Sequence, residues 1–266
     1  MDTDTSQDVI KNNTAIIGIE RIVSHPAGNR RITMNNALIR AGHGLSLSEK
    51  RLIACAVSKL DSRKIYPGNI VHTTQITAME YAEVFDVDVN TAYDQLQSAA
   101  VSLYNRSITF FEPSYKRGAK ELTTTKTQMR WVGKVKYHEG EGWVELSWWP
   151  DLMRHLTGLK KQFTTYQLKQ ASALRSAYSW RLLELLSRFE STGRAEYSIE
   201  DFCASMDATE KQAADFGKVR TKIIEPAIKE LCGKDGWKID WEPIRAGRKV
   251  TRLRFEFKRE DQLRLL

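Results

Sequence analysis

The strongest constraint on this chain is an order of elements that its sequence spells out twice. In the first half, Ser46-Leu47-Ser48-Glu49 has capping-box spacing, and Leu52, Ile53, Ala56, Val57 and Leu60 then recur at helical intervals. Pro67-Gly68-Asn69 turns the chain into a short β-rich run, Ile70–Thr74. Two helices follow, one from about Thr77 to Phe85 and one from about Asn90, with Ala92, Leu96, Ala99 and Leu103 on one face. The period then drops towards two, which predicts strands at Ile108–Phe111, Met129–Tyr137 and Trp143–Trp148. The last two are joined by a loop, His138–Gly142, that carries two glycines.

The second half repeats this order. Leu174, Tyr178, Leu182, Leu185 and Phe189 mark a helix, a short strand lies near Ala195–Tyr197, and a helix runs from Ser198 to about Met206. A further helix reaches Leu231, then strands Trp237–Pro243 and Val250–Lys258 flank the connection Ile244–Lys249. The residues echo each other too: Ile76–Ala82 matches Tyr197–Cys203, and Ser98-Ala99-Ala100 with Leu103 matches Pro226-Ala227-Ile228 with Leu231. Helix, short strand, helix, helix, strands is the order of a winged helix. The expected fold class is therefore α+β, as tandem winged-helix domains related by a pseudo-repeat. The expected division is a flexible segment over 1–30, a first domain over 31–160 and a second over 161–266, with the boundary in the polar stretch Leu159–Gln170.

Length agrees, since 266 residues accommodate two domains of roughly 100–150 residues. No window approaches the roughly 18 uninterrupted apolar residues of a membrane span, and the polar start MDTDTSQD does not suit a signal peptide, so a cytoplasmic protein with no membrane partner is expected. The three cysteines, Cys55, Cys203 and Cys232, are odd in number, widely spaced and set among apolar residues. Buried, reduced thiols are expected of them.

Catalytic chemistry finds little footing. The five histidines (His25, His43, His72, His138 and His155) occur singly, without metal-ligand spacing, and Gly217-Lys218 and Gly233-Lys234 lack the rest of a phosphate-binding loop. No enzymatic activity, catalytic residue, metal or cofactor is expected. Trp131, Trp143, Trp148 and Trp149 read as core and sheet packing in preference to base-stacking platforms.

The formal charge of +8 suits a polyanion, and its distribution is more telling. Between Lys218 and Arg259 there are thirteen Lys/Arg against six Asp/Glu, so this segment alone carries nearly all the excess. Lys218, Arg220, Thr221 and Lys222 fall at the start of the second half's third helix, with Val219, Ile223 and Ile224 as its inward face. Such residues suit the major groove of double-stranded DNA, although an ordinary basic amphipathic helix has the same pattern. Arg245, Arg248 and Lys249 cluster at a turn around Gly247, followed by Arg252 and Arg254. Cations crowded on a hairpin tip repel one another and add nothing to a core, which favours a wing lying along phosphates. Pro226, mid-helix, predicts either a kink or a helix that effectively restarts there, in a way that aims Lys218–Lys222. In the first half, the helix from Asn90 has few cations. Asn90, Thr91, Tyr93 and Gln97 are candidates for DNA contact or for packing on a partner, and the Lys116-Arg117-Gly118-Ala119-Lys120 loop, with Lys126 beyond it, for a weaker wing.

Several ordered segments resemble the initiator proteins of iteron-containing plasmids. They are Asn36–Ile39 with Leu45–Arg51, Phe163–Leu168, Ser176–Leu186, Glu225–Glu230 and Gly247–Val250, and together they cover roughly residues 32–258. The resemblance implies two winged-helix domains of common ancestry. It implies monomers that bind directly repeated iterons, help melt an adjacent A·T-rich segment and recruit the host initiator and the host replicative helicase. It also implies dimers, formed largely through the first domain, that bind an inverted repeat, repress the initiator's own gene and so bear on plasmid copy control. The family's recognition-helix residues fall on Lys218, Arg220, Thr221 and Lys222, and its wing contacts on Arg245 to Arg252, although the chain carries fewer cations around Gly217–Val219 than some relatives. The competing functions are a winged-helix transcriptional repressor without a replication role and a nicking replication enzyme.

Overall fold

A computed structural model describes residues 27–67, 70–115, 122–137 and 140–259. A single 3-10 turn, Ala27–Asn29, leads into β1 (Arg31–Asn35), α1 (Asn36–Arg40), α2 (Leu47–Val57), β2 (Thr73–Thr77), α3 (Ala78–Phe85) and α4 (Val89–Leu103). A hairpin of β3 (Ser107–Tyr115) and β4 (Leu122–Arg130) comes next, then β5 (Val132–Tyr137), β6 (Trp143–Trp148) and the short α5 (Pro150–Met153). The second half comprises β7 (Phe163–Gln167), α6 (Leu168–Ser172), α7 (Ala177–Ser187), β8 (Arg194–Ser198), α8 (Ile199–Ser205), α9 (Glu210–Ala213) and α10 (Phe216–Val219). It ends with α11 (Glu225–Lys234), β9 (Trp237–Ala246) and β10 (Lys249–Arg259).

The duplication is explicit in the sheets. β2-β6-β5 and β8-β10-β9 are both three-stranded and antiparallel, and each places its first strand in sequence beside its last. Each half also opens with a strand and a short helix, β1–α1 and β7–α6, and these two strands pair with each other from Arg31↔Gln167 to Asn35↔Phe163. The polar stretch Leu159–Gln170, expected to be a boundary, thus contains a strand that ties the halves together. Their buried residues form one continuous core, with Trp131, Trp148, Trp180, Tyr81, Phe202 and Phe255 as its largest fully enclosed side chains.

Local signals explain most element ends. Ser46 accepts from the Glu49 amide while Glu49 reaches back to the Ser46 amide at 2.6 Å, and Thr77 and Glu80 do the same for α3. Each such cap is worth about 1 kcal/mol.

Several expectations are corrected. The first-half strand lies at Thr73–Thr77, not Ile70–Thr74. Ile70 and Val71 are 53% and 61% exposed, and pairing starts only where Thr73 meets Ser147. The run Met129–Tyr137 is two strands in different sheets, broken at Trp131, whose indole is fully buried. The lead-in predicted as flexible over 1–30 lies outside the described residues as far as 26, but its end is built into the fold: Ala27 is buried and Arg30 pairs with Glu80 at 3.1 Å. Cys55 and Cys203 are buried free thiols, whereas Cys232 is exposed because it falls on the solvent side of α11. The burial of the first two raises their pKa values, to about 12 and about 11.

Candidate nucleic-acid interface

In the second half, the helix carrying the predicted contacts is assembled from three pieces. Asp215 caps α10 by accepting from the Gly217 amide at 2.9 Å. Residues Arg220–Ile224 then form a π-helical turn before α11. Pro226 explains the turn. Its ring has no N–H to give and would clash with the carbonyl four residues back, so the ladder widens by one residue. Accordingly, the Glu225 amide donates to the Arg220 carbonyl, five residues earlier. Of the kink or restart expected at Pro226, the structure shows a helix that restarts at Glu225 after the π-helical turn, with Pro226 in its first turn.

Val219, Ile223 and Ile224 are fully buried and anchor the turn, while Lys218, Arg220, Thr221 and Lys222 are all exposed. They do not present themselves equally. Lys218 sits 3.6 Å from Asp215, Arg220 Nε donates to Glu225 at 2.6 Å, and Thr221 Oγ1 donates to the Gly217 carbonyl at 2.8 Å. Lys222 makes no ion pair among the described residues.

The hairpin tip is tighter than the six-residue connection expected from sequence. β9 and β10 continue their ladder to Ala246↔Lys249, so Arg245 and Lys249 are strand residues and only Gly247 and Arg248 turn the chain. Gly247 has φ +61°, a left-handed conformation that glycine adopts without strain. Arg245, Arg248, Lys249 and Arg252 are exposed. Arg245 donates to the Arg248 carbonyl at 3.2 Å, Lys249 lies 4.0 Å from Glu200 and Arg252 lies 2.8 Å from Glu196. Exposed pairs of this kind are worth at most about 1 kcal/mol, so a row of phosphates can displace the carboxylates.

Helix and hairpin are brought together. Phe216, at the head of α10, packs near Trp241 of β9, with ring centroids 6.4 Å apart. Phe216 also lines a groove of about 720 Å³ together with Arg245, Arg248, Lys249 and Val250. The amino end of the cationic helix and the cationic hairpin tip therefore border one concavity.

The first half repeats the shape without the charge. Asp88 caps α4 by accepting from the Asn90 and Thr91 amides at 2.8 and 3.3 Å, which leaves those two exposed side chains free of the cap. No Lys or Arg occurs in Val89–Leu103. Tyr93 and Gln97 are half-buried, and the Tyr93 hydroxyl accepts from the Gly140 amide at 3.2 Å, fastening the β5–β6 turn to α4. That turn, not the β3–β4 connection, stands where the second half has its wing, because β5 and β6 belong to the three-stranded sheet and β3–β4 is an added hairpin. Lys116, Arg117 and Lys120 lie outside the described residues, and Lys126 on β4 is exposed.

Sequence reasoning missed the carboxylates that pair with these cations: Asp215, Glu225, Glu196 and Glu200. A five-residue separation is not a helical neighbour relation, so Pro226 was the only hint that Arg220 and Glu225 would meet. Among the described residues, no group of three or more His, Cys, Asp or Glu is placed to hold a metal ion, and no helix is long and apolar enough to cross a membrane.

Comparison with known proteins converges. A family model described as the first winged-helix domain (WH1) of an initiator replication protein matches residues 31–187, and one described as the second (WH2) of an initiator Rep protein matches 198–257. A replication initiation protein from Escherichia coli is 24% identical over 236 residues, covering 87% of this chain and 70% of its own length. An uncharacterized 27.6 kDa protein from the same organism is 25% identical over 213 residues, covering 77% and 85% respectively. Among solved structures, the Pi initiator protein in complex with iteron DNA superimposes with a TM-score of 0.72 at 21% identity, covering 88% of this chain and 99% of that one.

Proposed function

This chain belongs to the initiator replication protein family, with both of its winged-helix domains, and is a replication initiator; we propose that it starts plasmid replication by gripping iterons in double-stranded origin DNA with its second half. One observation supports this reading of the grip: Phe216, at the head of the helix that carries Lys218–Lys222, lines a single groove with Arg245, Arg248 and Lys249 of the hairpin tip. A B-DNA major groove admits one helix, and a neighbouring tip of cations then lies along the phosphate backbone. The similarly folded Pi initiator protein is known in complex with iteron DNA, and a ligand of that kind suits the cations here.

In this reading Lys218, Arg220, Thr221 and Lys222 enter the groove while Arg245, Arg248, Lys249 and Arg252 follow the strands. The first half adds auxiliary contacts through Asn90, Thr91, Lys116, Arg117 and Lys120, and supplies the surface through which monomers pair. Bound monomers promote origin opening and recruit the host initiator and the host replicative helicase, and dimers repress the initiator's own gene. The protein acts by binding, without a catalytic step or cofactor, in the cytoplasm.

The test is a footprint of the purified chain on DNA flanking its gene, with maintenance of a plasmid carrying that gene and flank. Protection of repeated sites together with autonomous maintenance is expected. Protection of an operator without maintenance leaves a repressor. A covalent protein–DNA adduct on supercoiled origin DNA points to a nicking enzyme.

A further inference from the structure

Among the exposed donors of the π-helical turn, Arg220 stands apart. Its Nε is held at 2.6 Å by a carboxylate oxygen of Glu225, and both side chains remain about half exposed, at 56% and 44%. Neither terminal nitrogen of the guanidinium has another hydrogen-bond partner among the described residues. Its neighbours are placed differently. Lys218 is loosely paired, Thr221 returns its proton to the Gly217 carbonyl, and Lys222 is untethered.

The pairing depends on the turn. In an uninterrupted α-helix, residues five apart point about 140° away from each other and their side chains do not meet. Widening the helix to the i→i+5 pattern brings the residue five positions on back towards the first. The bond from the Glu225 amide to the Arg220 carbonyl marks where this happens, and Pro226 next to it is why. The irregular turn thus sets a carboxylate beside the Arg220 guanidinium.

We infer that Glu225 is a positioning residue for sequence recognition: it fixes the Arg220 guanidinium so that its two terminal nitrogens face a guanine edge in the major groove. A guanidinium presents a planar fork that matches the O6 and N7 acceptors of guanine, and that two-point contact discriminates bases only if the fork does not swing. Restraint at Nε narrows that freedom and leaves the fork intact. Lys222, a point charge on a free stem, is left for the phosphates. This inference rests on the DNA-binding reading above and divides its cations into one base reader and its backbone contacts.

The experiment compares binding, by fluorescence anisotropy at about 0.15 M salt, to two duplexes: one carrying a repeat footprinted beside the gene and one of the same composition shuffled. Glu225→Gln keeps the size of the side chain, and its folding is checked by thermal melting. The preference for the repeat falls about tenfold, while affinity for the shuffled duplex is kept or slightly raised. In the Arg220→Ala background the same change does nothing further to the preference. Replacing guanines of the repeat in turn by 7-deazaguanine identifies a position that costs the unaltered chain affinity and costs neither variant any more. A rise in affinity for both duplexes with unchanged preference would show that Glu225 merely masks Arg220. A loss of preference that persists in the Arg220→Ala background would show that it acts on the fold; either result overturns the positioning role. If the unaltered chain itself fails to prefer the repeat, it is the initiator reading that falls.

Discussion

Lys50 Nζ lies 2.9 and 3.0 Å from the two carboxylate oxygens of Glu184, with the lysine side chain 5% exposed and the glutamate 1%. The pair joins α2, the leading helix of the first half, to α7, its counterpart in the second. Arg181 also reaches Glu184, at 3.1 Å, and donates to the Ala41 carbonyl at 2.9 Å and to the Ser205 carbonyl. The Tyr166 hydroxyl adds a fourth contact to Glu184 at 2.8 Å. One carboxylate thus serves two buried cations across the junction between the halves.

Removing that charge leaves both cations uncompensated in a dry site. Glu184→Gln is expected to cost about 3–5 kcal/mol of folding stability, read as a lower midpoint in urea unfolding. Loss below about 1 kcal/mol would mean that water or Asp207, 4.0 Å from Arg181, already neutralises the site.

One buried and one half-buried histidine predict sensitivity to mild acid. His43 is enclosed beside Arg181, donating from Nε2 to the Leu38 carbonyl at 2.7 Å. Burial, and then the charges of Arg181 and Lys50, push its pKa well below 6.5, while burial and then Arg154 lower that of His155 to about 4. The folded chain keeps both rings neutral while the unfolded chain protonates them. The stability that these neutral rings contribute is therefore complete above about pH 6.5 and is lost as the pH falls towards 4, by about 3 kcal/mol for His155 with a further loss from His43. Denaturant unfolding across that range measures it, and the dependence shrinks in His155→Gln. A flat profile refutes the account.

Lys222 and Arg248 are exposed, on the helix and the tip, and form no ion pair among the described residues. Replacing either by Ala is expected to weaken binding to any duplex to a similar degree and to reduce the salt slope by about one. A loss confined to one sequence would make that residue a base reader.

Pro226→Ala restores an N–H that can bond four residues back and removes the ring's clash. The thermal midpoint should hold or rise, while affinity for the specific site drops because Arg220 and Glu225 rotate apart. Calorimetry together with anisotropy separates the two effects. Unchanged affinity would show that the π-helical turn is not needed for recognition.

The legible part of this protein is what depends on near neighbours in the chain. The capping box at Ser46, apolar spacing in α2, α4 and α7, and the glycine at the β9–β10 tip each act within a few residues, so order of elements and duplication could be read directly. So could the inward face Val219, Ile223 and Ile224, and the exposure of the cations beside it. The strand at Thr73–Thr77 was harder, because Ile70 and Val71 have the composition of a strand and only the partner at Ser147 sets where pairing begins.

What the chain alone determined, then, is two winged helices and a cationic segment in the second, since helix period, turn chemistry and charge are local properties. Tertiary structure decided the rest: that β1 and β7 bind the halves into one body, that Glu184 serves Lys50 and Arg181, and that the β5–β6 turn rather than the β3–β4 connection fills the first wing's place. Those outcomes depend on how elements far apart in sequence come together, and no spacing rule reaches them.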